Sequence, residues 1–391
     1  MPKVPLHALD RLTETAGRIA PSDIHLLVDL VCELLGAQAG RLHVADYSLR
    51  RLQRIGADGA IGSPEPIAGT LVGRAFTTDE PTVSVGEPTT VAVPLVHGTT
   101  RIGLLELDFD TWDGSVPAML NSVLTVFVLI LTAKGRYTDY WHRAQRSEPL
   151  SPAAEIQWDL LPPLSCTTDR VAVGGILEPA YDIGGDSFDY AINGSLLQFA
   201  IVDAAGRGAS AVLQSAAAIN SLRNARRAGL DLVSAYRQAD RLIEVQFGLN
   251  TFVTGLIGTL DLESGVLTWI NAGHVLPMLV RNRTYAGELA CAPSTPFGLG
   301  QAVAEVATEA LQPGDRVLFY TDGLIEAKSP DGNLFGSDRL ADFLVRASME
   351  DVAVAETARR LSENCIEFAD ATLKDDATLL LVEYFGPPPT A

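Results

Sequence analysis

Cysteine is scarce in this 391-residue chain. There are four, Cys32, Cys166, Cys291 and Cys365, with no Cys-x-x-Cys pair, which excludes a disulfide framework and a thiolate zinc site. Basic residues are also few: 29 Lys and Arg stand against 48 Asp and Glu, a formal net charge of −19. A nucleic-acid grip needs the opposite balance to displace phosphate counterions. No apolar run reaches the ~20 residues that cross a bilayer. The longest, Met119 to Ala133, contains Asn121, Ser122 and Thr125 and reads as a buried or dimer-forming helix. The N-terminal MPKVPLHALDRLTETAG is charged and mixed, without the apolar core of a secretory signal. The expectation is a soluble, cytoplasmic protein. What is plentiful is core material: 47% of residues are hydrophobic and 20% charged, enough to exclude a disordered chain. The length predicts two or three domains of ~100–200 residues.

Ile24, Leu27, Val28, Val31 and Leu35 recur at helical spacing, and Ser22 or Asp23 is placed to cap that helix. RLHVADYSLRRLQRIG alternates about Asp46–Ser48 as a hairpin does, and Thr90–Val96 and Ile102–Asp108 read as two further strands. Residues 1–140 thus predict one compact α+β unit. His43 and His97 within it are read as ordinary core or surface residues rather than as cofactor ligands. Residues 141–165 predict a helical linker: Ser151 caps, Pro152 takes the first helical position, Glu155 adds favourable charge, and Pro162–Pro163 stop the helix. From Val171 strands dominate (VAVGGILEPA, SLLQFAIVDAA, TFVTGLIGTLDLESGVLTWINAG, DRVLFYTDG and ATLLLVEY). Helical runs interrupt them near Ala209–Arg227, Asp231–Phe247, Ser337–Leu344 and Val352–Glu367. Strand clusters that bracket paired helices predict two sheets with helices outside them, an α+β sandwich over residues 166–386.

Aspartates sit where those strands start or end. Asp186 follows two glycines, Asp203 follows LLQFAIV, Asp322 follows VLFYT, and Asp375 and Asp376 precede ATLLLV. Any one Asp-Gly after a strand is ordinary turn chemistry, and Asp331 and Asp338, which follow no apolar strand, keep that reading. Four strand-end acids in one domain are different. Carboxylates near a core repel each other unless a cation neutralises them, and oxygen-only ligation without a histidine or thiolate pattern selects Mg²⁺ or Mn²⁺ over zinc. Two such ions ~3.5–4 Å apart can bridge a water and clamp a phosphoryl group, which points to a phosphate hydrolase without a covalent nucleophile. Gly184, Gly185 and Gly206 allow close backbone approach to an ion or phosphate. Ser187 and Ser210 have no histidine–acid pair beside them and are not nucleophiles.

Several segments carry a resemblance. EPAYDIGGDSFDY, FAIVDAAGRGASAVLQ, NTFVTGLIGTLD, INAGHVLP, LQPGDRVLFYTDGLIEA and KDDATLLLVEY occur in the order and spacing of the stage-II-sporulation-E-like branch of the PPM/PP2C metal-dependent serine/threonine phosphatases. The first 140 residues resemble a GAF domain, through an entry helix, GTLVGRAFTTDEPTVSV, VAVPLVHGTTRIGLLELDF and a closing helix. The resemblance implies a GAF-like sensory and dimerisation module ahead of a PP2C-like α-β-β-α sandwich. It implies two Mn²⁺ or Mg²⁺ ions held by Asp186, Asp203, the Ala204 carbonyl, Asp322 and Asp375. Whether Asp375 or Asp376 points inward is a matter of register; Asp375 is favoured because the second position is commonly an amide in the wider superfamily. Asp189 is either an anchor for an outer-shell water or a solvated turn residue.

Two departures stand out. The family's D-V-S-G-H-G is DAAGRG here, with Arg207 in the histidine position, and P-L-G is Pro296-Phe297-Gly298. Arg207 is read as a solvated residue, with a phosphate contact as the alternative. His274, in NAGHVLP, is placed between strands rather than beside the aspartates, with a structural role. The implied function is a protein serine/threonine phosphatase acting on a phosphorylated anti-sigma-factor antagonist or similar protein. It would be a homodimer under control of an unknown small-molecule or protein signal, with no nucleic acid or membrane partner. Metal-dependent attack through the four aspartates is the expected mechanism, and movement of the helix from Gly208 to Arg227 the expected regulation. The alternatives are a catalytically silent phosphatase-like scaffold and a phosphatase of small metabolites.

Overall fold

The structure, a computed structural model, describes the chain except residues 1–5, 57, 98–99, 111–119, 180, 182–183, 249–250, 301–302, 371–372 and 388–391, and gives the backbone alone at 6, 7, 97 and 100. It divides into two compact units, Met1–Pro149 and Leu150–Ala391.

The first unit runs α1 (Leu6–Arg18), α2 (His25–Leu35), β1 (Ala39–Ala45), β2 (Arg51–Ile55), β3 (Ile61–Pro66), α3 (Leu71–Thr78), β4 (Thr82–Ser84), β5 (Thr89–His97), β6 (Thr100–Phe109), α4 (Leu120–Gly135) and α5 (Asp139–Ala144). Its antiparallel sheet has the order β3-β2-β1-β6-β5-β4. Strand alternation gives this sheet two apolar faces. Leu42, Val44, Leu105 and Leu107 pack with α2 and α4 residues such as Val28, Val123 and Phe127, while Ala45, Leu52, Ala92 and Leu104 meet Val72 and Phe76 of α3. The apolar stretch is indeed a helix, α4, with Val123, Phe127, Val128 and Leu131 buried; Met119 lies outside the described residues, as does the His97 side chain. Among the described residues no helix is long and apolar enough to cross a membrane. The expected cap of α2 is not formed. Its N-cap is Ile24, without a side-chain hydrogen bond, and Asp23 serves through its backbone carbonyl, which accepts from the Leu26 N–H. His43 is buried, with Nε2 3.0 Å from a Glu106 oxygen, beside Arg41, which grips Asp108 with two hydrogen bonds of 2.7 Å.

The second unit runs α6 (Pro152–Leu160), β7 (Ser165–Thr167), β8 (Val171–Glu178), β9 (Asp186–Asn193), β10 (Leu196–Ala204), α7 (Ala209–Arg227), α8 (Leu232–Phe247), β11 (Val253–Asp261), β12 (Val266–Ala272), β13 (Met278–Arg281), β14 (Thr284–Glu288), β15 (Val306–Ala310), β16 (Arg316–Tyr320), α9 (Asp322–Glu326), α10 (Ser337–Met349), α11 (Val354–Phe368) and β17 (Ala377–Tyr384). Two antiparallel sheets form, one ordered β15-β12-β11-β10-β9 and the other β14-β13-β16-β17-β8-β7. Their facing residues, among them Phe188, Phe199, Ile201, Leu256, Trp269, Phe319 and Leu380, make the central core. Helices α7 and α8 cover the outer face of the five-stranded sheet, where Ile219, Tyr236 and Ile243 meet Val202 and Ile257. Helices α10 and α11 pack on the other sheet. The result is the expected four-layer α-β-β-α sandwich. Strands β8 and β17 carry apolar residues almost throughout because both their faces are covered.

Residues 141–165 do not form one connector. Helix α5 closes the first unit, and α6 belongs to the second: Ala153, Ala154 and Gln157 are buried, and α6 packs on α7. Its local signals act as expected. The Ser151 hydroxyl accepts from the Ala154 N–H at 3.1 Å, and Pro152 occupies the first turn.

Candidate metal centre

The acids meet because four strand ends meet. In the β9–β10 ladder Asp186 lies directly opposite Asp203, so the two side chains share a face and their charges act on each other. In the other sheet Tyr320 pairs with Leu379, which puts Asp322, two residues past Tyr320, near the Asp375–Asp376 approach to β17. Asp203, Asp322 and Asp375 line one cleft of about 310 Å³ with Ala204, Gly206, Phe252, Thr254 and His274. Thr321 joins the two sheets: its hydroxyl donates to Asp186 Oδ2 at 2.6 Å and accepts from the Thr378 N–H at 2.9 Å. Among the described residues no three or more His, Cys, Asp or Glu side chains close tightly enough to enclose an ion. Asp186 and Asp203 are paired across the ladder, and Asp322 and Asp375 line the same cleft as Asp203.

The electrostatics are those of an uncompensated acid cluster. Burial, then the charges of Asp203 and Asp376, push the Asp186 carboxyl well above the usual carboxylate range. Asp203 is raised to about 6 by burial, then by Asp322, Asp375 and Asp376. Among the described residues neither Asp186, Asp203 nor Asp322 pairs with a cationic side chain. An oxygen-rich donor set without its own counter-cation fits a hard divalent ion.

The register at Asp375–Asp376 divides two roles. Asp376 is the buried member; its carboxylate accepts from the Gly184 N–H at 2.8 Å and the Asp186 N–H at 3.1 Å. Asp375 is exposed and lines the cleft, 3.5 Å from Arg207. Gly185 serves an approach other than the expected one: a Cβ there would stand 2.5 Å from the Ala204 carbonyl oxygen, so its missing side chain admits backbone rather than an ion or phosphate. Arg207 is exposed but not merely solvated, since it also donates to the Lys374 carbonyl at 2.5 Å.

Two expected positions are corrected. Asp189 is neither a turn residue nor at the acid cluster. It is buried within β9, where Arg223 donates to Oδ1 at 2.9 and 2.7 Å and Arg226 to Oδ2 at 2.8 Å. His274 does stand beside the aspartates, in the same cleft lining. Its Nε2 is 3.0 Å from the Tyr320 carbonyl, which can only accept, so Nε2 carries the proton and Nδ1 accepts from the Thr254 hydroxyl at 3.1 Å. Burial lowers its pKa to about 4. It is a neutral strut between the sheets, as its structural role requires. Ser187 is fully buried, Ser210 opens α7, Asp331 lies in an exposed turn, and Asp338 sits in the first turn of α10.

Gln157, Thr321, Arg223 and Arg226 were not singled out from the sequence. Gln157 could have been: it is a polar residue among apolar ones on α6, it is fully buried, and its Nε2 donates to the Asp186 carbonyl.

Residues 193–385 match the family described as Stage II sporulation protein E. Among curated proteins the chain is similar to Protein IcfG of Synechocystis sp., 21% identical over 257 residues that cover 57% of this chain and 40% of that protein. It is similar also to Phosphoserine phosphatase RsbU of Bacillus subtilis, 21% identical over 231 residues covering 59% of this chain and 68% of the relative. The chain thus spans well under half of the first of these relatives. Among solved structures, the RsbU and RsbW domains of a Mycobacterium tuberculosis protein align with a TM-score of 0.49 and 28% identity, over 56% of this chain and 61% of that one. The second unit is thus similar, through residues 193–385, to the stage II sporulation protein E family.

Proposed function

We propose that the chain is a Mn²⁺- or Mg²⁺-dependent protein serine/threonine phosphatase. Asp186, Asp203, Asp322, Asp375 and the Ala204 carbonyl would hold two ions. The observation that carries this reading is the Asp186–Asp203 pair: a buried and a half-buried acid opposite each other in one ladder, the second lining the cleft with Asp322 and Asp375, with no cationic side chain on either among the described residues. Divalent ions supply charge neutralisation and Lewis acidity toward water and a phosphoryl group. The chain's own residues do the rest. Thr321 fixes the Asp186 carboxylate, Asp376 holds the main chain before it, and His274, uncharged, ties Tyr320 to Thr254 so that both sheets keep their spacing. Phe252 adds apolar lining to the cleft.

A relative named as a phosphoserine phosphatase supports a phosphoprotein substrate, of the anti-sigma-factor-antagonist type that the sequence resemblance implies. The first unit, a six-stranded sheet covered by helices on both faces, would serve as the GAF-like sensing and dimerising module. The test is hydrolysis of p-nitrophenyl phosphate and of a phosphorylated antagonist protein with Mn²⁺, comparing the native protein with Asp203→Asn and Asp322→Asn. Loss of at least a hundredfold in both variants is expected; equal rates in all three would remove the assignment. Control by the first unit predicts a changed rate when residues 1–149 are deleted, and an unchanged rate would argue against it.

A further inference from the structure

Strand β9 is an edge strand: β10 lies on one side and, among the described residues, no strand on the other. Its outward backbone groups therefore need partners from elsewhere. At Asp186 both are supplied by side chains. The N–H donates to Asp376 Oδ2 at 3.1 Å, and the carbonyl accepts from Gln157 Nε2 of α6. Gln157 is fully buried, and among the described residues its Oε1 has no hydrogen-bond partner. A fully buried amide with one end unsatisfied is costly to keep, which is consistent with the other end doing something an apolar side chain cannot. Helix α6 is itself held in place at its C-terminus, where Arg223 donates to the Leu160 carbonyl at 2.6 Å while gripping Asp189, three residues along β9 from Asp186.

We propose that Gln157 is a positioning residue for the metal centre: by anchoring the Asp186 carbonyl it sets the peptide plane, and hence the direction in which the Asp186 carboxylate leaves β9. This rests on the metal-site reading above. Gln157 touches neither ion nor substrate. Its effect passes through the main chain of one ligand, and outer partners of ligands typically influence metal affinity by ~10–100-fold.

The experiment measures Mn²⁺ binding to the full chain by calorimetry, beside kcat and KM for p-nitrophenyl phosphate at saturating Mn²⁺, in the native protein, Gln157→Met and Tyr190→Phe. Gln157→Met keeps the length and removes the donor. It is expected to raise the Mn²⁺ Kd roughly tenfold, with KM for p-nitrophenyl phosphate unchanged. Tyr190→Phe deletes a neighbouring bond, from Tyr190 Oη to the Pro163 carbonyl at 2.7 Å. It should lower Tm while leaving the Kd within twofold. If Gln157→Met does not fold, Gln157→Asn, an amide one methylene short, replaces it with an expected rise of at least threefold. A Kd within twofold of native in the folded Gln157 variant overturns the proposal while leaving the phosphatase reading intact. Failure of the native protein itself to bind Mn²⁺ overturns both.

Discussion

Replacing Asp189 with asparagine should destabilise the second unit without disabling the acid cluster. The Asp189 side chain is 3% exposed, and its partners Arg223 and Arg226 are 16% and 14% exposed. One carboxylate therefore compensates two guanidinium groups that water scarcely reaches. Asparagine keeps the volume but turns an acceptor into a donor, which must face either Arg223 or Arg226 and leaves both cations uncompensated. Breaking a buried ion pair from one side costs about 3–5 kcal/mol. With roughly 2–4 °C of Tm per kcal/mol for a unit of this size, the melting point should fall by on the order of 6–20 °C. Differential scanning calorimetry of the full chain in EDTA, native against Asp189→Asn, measures it. The triple variant Asp189→Leu, Arg223→Met, Arg226→Leu should recover most of the loss, because removing all three charges leaves none unpaired. A loss below 1 kcal/mol for Asp189→Asn, or a fall in Mn²⁺ affinity without loss of stability, would refute the argument and return Asp189 to an outer-shell role.

Three further outcomes are expected. In metal-free protein Asp203, raised to about 6 by burial and neighbouring acids, binds a proton in the folded state that the unfolded state releases near pH 4. Its contribution to stability therefore falls as pH rises from about 4 to 6, by on the order of 3 kcal/mol, and urea titrations in EDTA should find Asp203→Asn more stable than native at pH 7. His274, lowered to about 4 by burial, has the opposite sign: the unfolded state takes the proton first, so its contribution is present above pH 6.5 and is lost as pH falls toward 4. His274→Gln should then lose its disadvantage relative to native on acidification from pH 7 to 4.5. Finally, a Cβ on Gly323 would stand 1.8 Å from the Asp376 carbonyl oxygen. Gly323→Ala must therefore push α9 from the β17 approach, and Mn²⁺ affinity should fall at least tenfold, read by calorimetry; native affinity in a folded Gly323→Ala protein would contradict the geometry.

The parts that were legible in the sequence are those fixed by local chemistry. The α6 boundary followed from Ser151, Pro152 and the Pro162–Pro163 stop, and the helices at 209–227 and 231–247 from their uninterrupted runs between strands, with Asp231 capping the second by accepting from the Ser234 N–H at 2.9 Å. Strand β9 was harder. In DSFDYAIN, Phe188 and Tyr190 share with Asp186 the face toward the inter-sheet core while the other face carries Asp189 toward α7, and nothing within eight residues reveals that two arginines ~35 positions later, α7's Arg223 and Arg226, neutralise that acid. His274 was misplaced for a similar reason. Its motif lies between strands in the chain, but its ring bridges Thr254 of β11 and Tyr320 of β16, which belong to different sheets that converge at the cleft.

That convergence also accounts for the division of labour at Asp375 and Asp376. The chain bends at Lys374–Asp375 just before β17, and of the two adjacent acids one turns back toward the start of β9. Asp376 does so, and the N–H groups of Gly184 and Asp186 repay part of its burial. Asp375 is left to face the cleft with Asp203 and Asp322, where its nearest cation is the exposed Arg207 at 3.5 Å, a contact that solvent screens heavily. The doubled aspartate is thus one structural acid and one available acid. The first is held by backbone N–H groups at the start of β9, and the second lies open to the cleft beside an exposed arginine.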